Sequence, residues 1–366
     1  MPSATGMRWL PVVIVLLIIT LAWRTGRDAL AYLLWDVWQP EDTTPLVLPA
    51  ELVVAKLPPA YHWYADRDRG GLYRAVGYDA MGFPDPKAME RLEAPWQKAA
   101  PVPIPDTYTR MSGGPIENAR FVARCGMNAV PRTTMDIISK ETKKLIARVE
   151  PYASVPTRQN AAWHPSQDIL VAGGQDYVML LRGPKWQPHK LATAARDMAE
   201  WSRLVGEGRD ETGYRPHEGV SQLLFNDDGT LLICAMDRGL RVYSWQEVLD
   251  AKDKLPTAKF AVDNDLVEVN RFATLRNTYA VEYDPAHKRV LWAGLDRKLR
   301  AFDLEAKKDS TWLTLPEKFL IRRMEFLDGG KILCCEINRI GKSTWPIEGL
   351  FLLDYKELAE QHHAAK

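Results

Sequence analysis

The chain has 366 residues, of which 46% are hydrophobic and 26% are charged, ordinary values for a folded protein. Its 48 basic and 47 acidic residues nearly cancel, leaving a formal net charge of +1. A nucleic-acid binder needs a basic stripe that neutralises phosphates, so this balance argues against that class of protein and no nucleic-acid partner is expected.

The first apolar segment runs from Trp9 to Trp23 and predicts a single-pass membrane anchor. As a helix it spans only about 22 Å of a roughly 30 Å hydrocarbon core, so Arg8 and Arg24 must snorkel or the bilayer must thin. A cleaved signal peptide and a buried core helix are the alternatives. We assign residues 1–39 to an uncleaved anchor with its juxtamembrane segment. The protein is then expected in an inner (cytoplasmic) membrane, with its folded part periplasmic or otherwise extracytoplasmic.

Prolines are dense in the next part of the chain, where twelve of the 25 fall between Pro40 and Pro115. Proline fixes φ and lacks an N–H, which disfavours long helices and central strands there. Residues 40–106 are therefore predicted to form a Pro-rich linker or a degenerate unit of the repeat that follows. Within this part, Tyr61 to Gly71 predicts a hairpin-like piece.

From about Thr107 the chain consists of repeated β units. The phrase Asp237-Arg238-Gly239-Leu240-Arg241-Val242-Tyr243 recurs as Asp296-Arg297-Lys298-Leu299-Arg300-Ala301-Phe302. Each unit has a turn, a short apolar second strand, another turn and a third strand, which is typical of propeller blades. The second strands are predicted at Ile169–Ala172, Leu231–Cys234, Val290–Ala293 and Ile332–Cys335, and the third strands at Tyr177–Leu181, Leu240–Tyr243, Leu299–Phe302 and Leu350–Leu353.

The segment from His217 to Leu232 resembles the histidine, strand, turn and strand of WD40 repeats, with Asp237 at the later turn aspartate. The tryptophan of the family's Trp-Asp dipeptide is replaced by Tyr243 and Phe302. Its aspartate survives as Asp303 and Asp354. The resemblance covers residues 107–366 and implies an all-β propeller, but it carries no catalytic residues.

Five blades are visible in the sequence, and closure of a ring predicts that residues 50–106 supply a degenerate sixth or seventh. A β-sandwich is the alternative, which the recurring Asp-Arg turn disfavours. The five blades are predicted at residues 107–155, 156–213, 214–270, 271–315 and 316–366.

Sequence motifs for catalysis are absent: there is no Walker loop, no H-E-x-x-H helix and no haem-type C-x-x-C-H. His164 and His217 sit at blade turns, where a hydrogen bond between strands is favoured over metal ligation. The acidic stretch Asp263-Asn264-Asp265 could ligate calcium but lacks the spacing of a calcium loop. We therefore predict no catalytic residue, no metal site and no cofactor.

A helical insertion is predicted near residues 190–206 because apolar residues, Met198 and Trp201 among them, share one face at helical spacing. Such an insertion packs on the propeller rim or receives a partner. The recurring arginines give a second candidate partner surface, with solvated blade edges as the alternative. The candidate partner-binding residues are Met198, Trp201, Arg238, Arg241, Arg297 and Arg300.

The function expected from these features is that of a membrane-anchored scaffold or adaptor, whose partners are other proteins of a membrane complex. A propeller hydrolase of lactonase type, with a metal in the central channel, is the alternative. It would require Asp, Asn, Glu or His side chains from several blades to converge on one point. A ligand-sensing propeller is the third possibility.

Overall fold

The computed structural model describes residues 45–60, 63–66, 71–75, 89–96, 99–102, 116–128, 132–152, 160–174, 177–193, 219–265, 267–270, 273–275, 277–340 and 347–364. The predicted anchor, residues 1–39, lies outside these ranges. Among the described residues, no helix has both the length and the apolar character needed to cross a bilayer. The chain divides into two compact units, Val47–Ile340 with Pro346–Lys366 and Met1–Leu46 with Gly341–Trp345. All elements described below belong to the first of these units.

The described elements are almost all strands. They are β1 (Val53–Leu57), β2 (Trp63–Asp66), β3 (Gly71–Ala75), β4 (Met89–Leu92), β5 (Ala99–Val102), β6 (Ile116–Glu117), β7 (Phe121–Asn128), β8 (Arg132–Ser139), β9 (Leu145–Tyr152), β10 (Ala161–Trp163), β11 (Ile169–Gly173), β12 (Tyr177–Arg182), β13 (Gln187–Ala192), β14 (Val220–Phe225), β15 (Leu231–Met236), β16 (Gly239–Ser244), α1 (Trp245–Asp250), β17 (Phe260–Asp263), β18 (Val267–Asn270), β19 (Ala273–Leu275), β20 (Thr278–Asp284), β21 (Arg289–Gly294), β22 (Lys298–Asp303), β23 (Lys308–Thr314), β24 (Phe319–Leu327), a 3-10 turn (Asp328–Gly330), β25 (Ile332–Arg339), β26 (Ile347–Asp354) and α2 (Tyr355–Ala364).

The strands form six antiparallel sheets of four strands each, which we call blades 1 to 6. Blades 1, 2 and 3 are β2–β5, β6–β9 and β10–β13; blades 4 and 5 are β14–β17 and β20–β23; blade 6 is β24–β26 with β1. The first strands β6, β10, β14, β20, β24 and β2 contact one another in that order. The sheets therefore surround a common centre, and the chain is a six-bladed β-propeller.

The prediction of an all-β propeller is confirmed. Beside the five blades visible in the sequence, the ring has a sixth, which lies within residues 50–106 as closure of the ring predicted. The predicted second and third strands agree with β11, β15, β21 and β25 and with β12, β16, β22 and β26.

The ring is closed by strands from opposite ends of the described chain. β1 pairs antiparallel with β26, with Leu57 opposite Leu350, and the Asp354 N–H donates to the Leu52 carbonyl at 2.9 Å. The outer strand of blade 6 is thus supplied by a segment that precedes blade 1. With β1 in place, blade 6 has four strands like the other five blades and lacks no strand at its rim.

Two faces of the ring follow from the antiparallel pairing. We label the strands of each blade a to d from the centre outward, so the a–b and c–d turns share one face, the a–b face, and the b–c turns lie on the other, the b–c face. Helices α1 and α2 both follow a strand c and therefore lie on the a–b face. The two-stranded hairpin β18–β19 lies in the connection from blade 4 to blade 5, which leaves strand d of blade 4 on the b–c face.

Residues 190–192, at the beginning of the helical insertion predicted near residues 190–206, end strand β13, and residues 194–206 lie outside the described residues, so the insertion stays a prediction. Leu191 pairs there with Val178 and is completely buried. Met198 and Trp201 lie outside the described residues.

Adjacent blades pack through apolar side chains on their facing surfaces. Between blades 2 and 3, Phe121, Trp163 and Trp186 contact one another with ring centroids 5.1 to 5.8 Å apart. Cys234 and Cys335, buried at equivalent positions of strand b in blades 4 and 6, are free thiols. Burial raises the pKa of both thiols, so they stay protonated and act as small apolar side chains.

The two copies of the Asp-Arg phrase differ at their third residue because their b–c turns differ in length. In blade 4 two residues separate β15 from β16, and Gly239 follows with φ of +152°. A Cβ there would lie 2.0 Å from the Val262 carbonyl oxygen, which excludes a side chain. In blade 5 the turn has one more residue, and Lys298 is accommodated at the corresponding position.

Buried polar side chains join the inner strands of successive blades. The Gln222 amide of β14 exchanges two hydrogen bonds with the Val281 backbone of β20, at 2.8 and 3.2 Å. At the next two interfaces, Glu282 accepts from the Phe326 N–H at 3.2 Å and Glu325 accepts from the Ala65 N–H at 2.8 Å. These side chains satisfy backbone groups that a blade's inner edge would otherwise leave unpaired.

The interface between blades 6 and 1 also contains buried charge. The Arg323 guanidinium forms an ion pair with Glu325 and lies 4.2 Å from the centroid of the Trp63 ring. The Trp63 indole donates to Glu336 at 2.7 Å. Burial raises the pKa of Glu336, an effect opposed by the Trp63 hydrogen bond and the Arg323 charge. We call Trp63, Arg323, Glu325 and Glu336 the closure network.

Candidate functional site

A cavity of about 560 Å³ opens on the a–b face between blades 5 and 6, beside the start of α2. Its walls come from the a–b turns of blades 4, 5 and 6 and from the first two turns of the helix. We call it the α2 cavity. The lining residues are Asp227, Tyr283, Asp284, Pro285, Ala286, His287, Arg289, Phe326, Gly329, Gly330, Lys331, Tyr355, Lys356, Ala359 and Glu360.

Asp284 is the polar centre of the α2 cavity and is only 4% exposed. Its Oδ1 accepts from the backbone N–H groups of Ala286 and His287 at 3.0 and 3.3 Å. Its Oδ2 accepts from the Tyr355 hydroxyl and from His287 Nδ1, each at 2.6 Å. The carboxylate therefore connects the blade 5 turn to the helix of blade 6 and orients the imidazole of His287, which is half exposed.

Tyr355 acts as a donor in this arrangement. Burial raises the pKa of the Tyr355 phenol, and both the hydrogen bond to Asp284 and its negative charge raise it further. The hydroxyl is consequently protonated across the ordinary pH range and holds α2 against blade 5.

Helix α2 begins here because Asp354, the last residue of β26, caps it. Its Oδ1 accepts from the Glu357 N–H at 3.0 Å, satisfying one of the orphan donors of the first turn. Asp303 occupies the same position in blade 5 and accepts from the N–H groups of Glu305 and Ala306 at 2.9 and 2.8 Å. The two aspartates that resemble the WD40 dipeptide thus terminate strand c and direct the chain into the next turn.

A second site of the same construction lies between blades 3 and 4. His164 comes directly after strand a of blade 3, at the position where Asp284 ends strand a of blade 5, and its Nε2 lies 3.0 Å from the Gly229 carbonyl oxygen. The ring stacks on Trp245 with centroids 5.3 Å apart and meets Phe225 edge-on at 5.0 Å. The predicted role of His164 as a hydrogen-bonding residue is confirmed, although it joins two blades rather than two strands of one blade.

His164 has a defined tautomer because its Nδ1 accepts from the N–H groups of Ser166 and Gln167 at 3.2 and 3.1 Å. The proton must then lie on Nε2, which donates to Gly229. Burial lowers the pKa of His164 below 6.5, and the bond to Gly229 opposes this only in part. Protonating Nδ1 would abolish two hydrogen bonds.

Acid is therefore expected to weaken the interface between blades 3 and 4. Below about pH 6.5 the unfolded chain binds a proton at His164 more readily than the folded chain, so the free energy of unfolding falls as the pH drops. Above that value this contribution is fully present. Thermal unfolding of the wild type and of His164→Gln between pH 5 and 8 checks this, since the difference between their melting temperatures should be constant above pH 7 and shrink below it. A difference independent of pH would contradict the assignment.

The two interblade sites share their aromatic frame but differ in what fills it. Phe225 and Trp245 meet edge to face at 4.9 Å, and Phe326 and Tyr355, at the equivalent positions of blade 6, do so at 4.8 Å. In blades 3 and 4 the imidazole of His164 occupies the space beside this pair. The corresponding residue, Asp284, is smaller, and the α2 cavity opens there.

The candidate arginines lie on the opposite, b–c face and are not brought together with the α2 cavity. Arg238 and Arg297 are partly exposed in the b–c turns of blades 4 and 5. Arg241 donates to Asp263 at 2.6 Å, and its side chain is 14% exposed. The partner-binding role of these three residues stays a prediction.

Arg300 is more buried, since its side chain is 9% exposed, and its guanidinium pairs with three carboxylates. It contacts Asp296, lies 2.9 Å from Asp265 and 3.5 Å from Asp309, and stacks on Trp292 at 4.8 Å. Burial raises the pKa of both Asp296 and Asp309, and the Arg300 charge opposes the rise.

The acidic stretch at residues 263–265 is divided among separate partners. Asp263 pairs with Arg241, Asp265 pairs with Lys298 at 2.6 Å, and the Asn264 amide donates to the Asn277 carbonyl at 3.1 Å. Across the described ranges, no three His, Cys, Asp or Glu side chains converge in a way that could hold a metal ion.

No protein-family model and no curated protein matches the chain. Among solved structures, the chain is similar to the crystal structure of the WD40 beta propeller domain of Doa1. The identity is 11%, the TM-score is 0.47, and the match covers 80% of this chain and 78% of that one. The six four-stranded sheets and their pairing make this chain a six-bladed β-propeller.

Asp284, His287 and Tyr355 were not predicted from the sequence to be members of one site. Asp284-Pro285-Ala286-His287 was recognisable as a turn, and Tyr355 follows the recurring aspartate. An alignment of the blades that placed Asp284 at the position of His164 would have shown that one interface has an aromatic ring there and the other a smaller carboxylate.

Proposed function

We propose that this propeller is a membrane-anchored scaffold that binds other proteins of a membrane-associated complex. The observation that carries the proposal is a closed ring with a preformed cavity on its a–b face. The ring is fixed by β1–β26 pairing and by the buried closure network, so its surface is rigid before any partner arrives. A rigid binding surface loses little conformational entropy on association.

The anchor is supported by the apolar, tryptophan-flanked segment from Trp9 to Trp23. We propose a single pass through an inner membrane with the propeller on the extracytoplasmic side. Protease treatment of intact and of permeabilised spheroplasts tests the orientation. The propeller should be cleaved in intact spheroplasts, whereas protection until permeabilisation would place it on the cytoplasmic side.

The b–c face offers a second contact surface in this proposal, formed by Arg238, Arg241 and Arg297 with Arg300 beside them. Met198 and Trp201, which lie outside the described residues, stay candidate partner residues on the sequence pattern alone. A cross-linked complex purified from membranes in mild detergent should lose acidic partners in an Arg238→Glu, Arg297→Glu variant, because reversed charges repel them. Lys185→Glu, which changes an exposed lysine on the a–b face, is the matched control. Equal recovery from all three proteins would exclude the arginine surface, and no specific partner in any of them would refute the scaffold function.

A further inference from the structure

The α2 cavity is an open counterpart of an interface that the chain fills with its own side chain. In the filled site, the ring of His164 stacks on Trp245, contacts Phe225 and donates to the Gly229 carbonyl. In the open site, Tyr355, Phe326 and Gly330 stand at the positions of Trp245, Phe225 and Gly229, and all three line the cavity. The intramolecular example therefore shows what kind of group fits this frame: a planar ring with an N–H or O–H donor.

The buried part of the lining suits such a ring. Tyr283, Phe326 and Tyr355 are 8%, 5% and 5% exposed, so their rings form a fixed apolar wall. Aromatic pairs gain stability when their centroids lie about 4.5–7 Å apart, in stacked or edge-on arrangements. The volume of about 560 Å³ exceeds that of one imidazole and leaves room for the backbone that carries the ring.

The charges around the cavity favour acidic neighbours of that ring. The side chains of Lys331 and Lys356 are 75% and 83% exposed. Each forms an ion pair with an exposed carboxylate, Asp328 at 3.5 Å and Glu360 at 3.6 Å. Arg289 lines the same wall as His287. The acidic lining residues are Asp227, Glu360 and Asp284, but the Asp284 carboxylate already accepts four hydrogen bonds. Lys331 and Lys356 are therefore exposed cations at the rim, and their solvent-exposed ion pairs can exchange for an acidic residue of a ligand.

We propose that the α2 cavity binds an extended segment of a partner protein that inserts a tyrosine, tryptophan or histidine ring between blades 5 and 6. An acidic residue next to the ring pairs with Lys331 and Lys356. This inference rests on the proposed scaffold function and names the surface and the partner chemistry that would serve it.

Oriented peptide libraries of seven residues test the inference with the full chain. The central residue is fixed as tyrosine in one library and as alanine in the other, and the flanking positions are random. The tyrosine library should be retained at least about tenfold more strongly, with Asp and Glu enriched beside the ring. Equal retention of the two libraries, or enrichment of Lys and Arg, would overturn the proposal.

Variants locate the site. Ala286→Trp places a ring of the chain's own in the cavity from an exposed turn position, and Lys331→Glu, Lys356→Glu reverses the charge of the rim. Each should reduce retention of the tyrosine library by about tenfold or more, while Lys185→Glu should leave it unchanged. Melting temperatures close to that of the wild type show that the fold persists. Retention that survives both cavity variants would place peptide binding elsewhere and refute the proposal.

The outcome is separable from that of the scaffold proposal. If partners co-purify with the Ala286→Trp variant as they do with the wild type, the scaffold function stands and the α2 cavity is not its docking surface. If the libraries discriminate but no partner is recovered from membranes, the cavity binds peptides and the scaffold function falls.

Discussion

Replacing Arg323 by methionine is expected to lower the free energy of unfolding by about 3–5 kcal/mol. The substitution keeps most of the side-chain volume but removes the Arg323 ion pair of Glu325 and the positive charge near Glu336. All three residues are at most 7% exposed. A buried carboxylate without compensation is much more costly than an exposed one. Chemical denaturation of the two proteins under reversible conditions measures the difference.

A matched control is Arg120→Met, which removes the exposed pair with Asp168 and should cost about 1 kcal/mol or less. The deficit of the Arg323 variant should also shrink as the pH falls, because protonation in the folded state neutralises the buried carboxylates that have lost the compensating Arg323 charge. If both variants lost similar stability at neutral pH, the closure network would not be the source of stability that its burial indicates.

The second large effect is expected at Trp292, where substitution by alanine should cost about 3–5 kcal/mol. This side chain is completely buried in strand b of blade 5, at the position held by Cys234 in blade 4 and Cys335 in blade 6. Its indole donates to Asp309 at 2.8 Å and supports the Arg300 guanidinium. The variant therefore creates a cavity and also removes the 2.8 Å hydrogen bond to Asp309, which keeps Arg300 at 3.5 Å.

Trp292→Phe separates these two contributions. It retains most of the ring packing but removes the donor, and it should cost about 1–3 kcal/mol. Denaturation curves of the wild type and the two variants give the comparison. A phenylalanine variant as unstable as the alanine variant would show that the hydrogen bond to Asp309, rather than packing, accounts for the effect.

Strands b and c were predictable because each is a short apolar run between turns with recognisable chemistry. Asn226 to Gly229 and Asp284 to His287 are examples of such turns, since their side chains bond nearby backbone groups. These strands lie in the middle of each blade and are buried on both surfaces, so their composition alone identifies them.

Blade 1 was predicted only as a degenerate unit within residues 50–106, because its prolines disfavour central strands. Pro101 is compatible with a blade because it lies in β5, the outer strand, where an N–H is not needed on the solvent side. The hairpin predicted at Tyr61 to Gly71 is present as β2 and β3, but nothing local shows that β1 belongs to blade 6. That pairing joins residues nearly 300 positions apart, which no short-range pattern encodes.

The sites were less predictable than the strands because they depend on contacts between blades. Arg300 was expected on the surface, but the carboxylates that surround it come from three separate places: the b–c turn of blade 5, its strand β23 and the segment after β17. The α2 cavity exists because Asp284 is smaller than His164 at a matched position. Recognising it required the alignment of blades in three dimensions.

The closure of the ring has a consequence for synthesis of the protein. β1 leaves the ribosome about 290 residues before the first residue of β26, the strand that it pairs with. At about 5–20 residues per second, β1 waits roughly 15–60 s without its neighbour. During that interval blade 6 cannot form, and a nascent chain with an uncovered hydrophobic edge is a substrate for chaperones. Ribosome-bound chains stalled before residue 347 should accordingly be far more sensitive to protease than released ones.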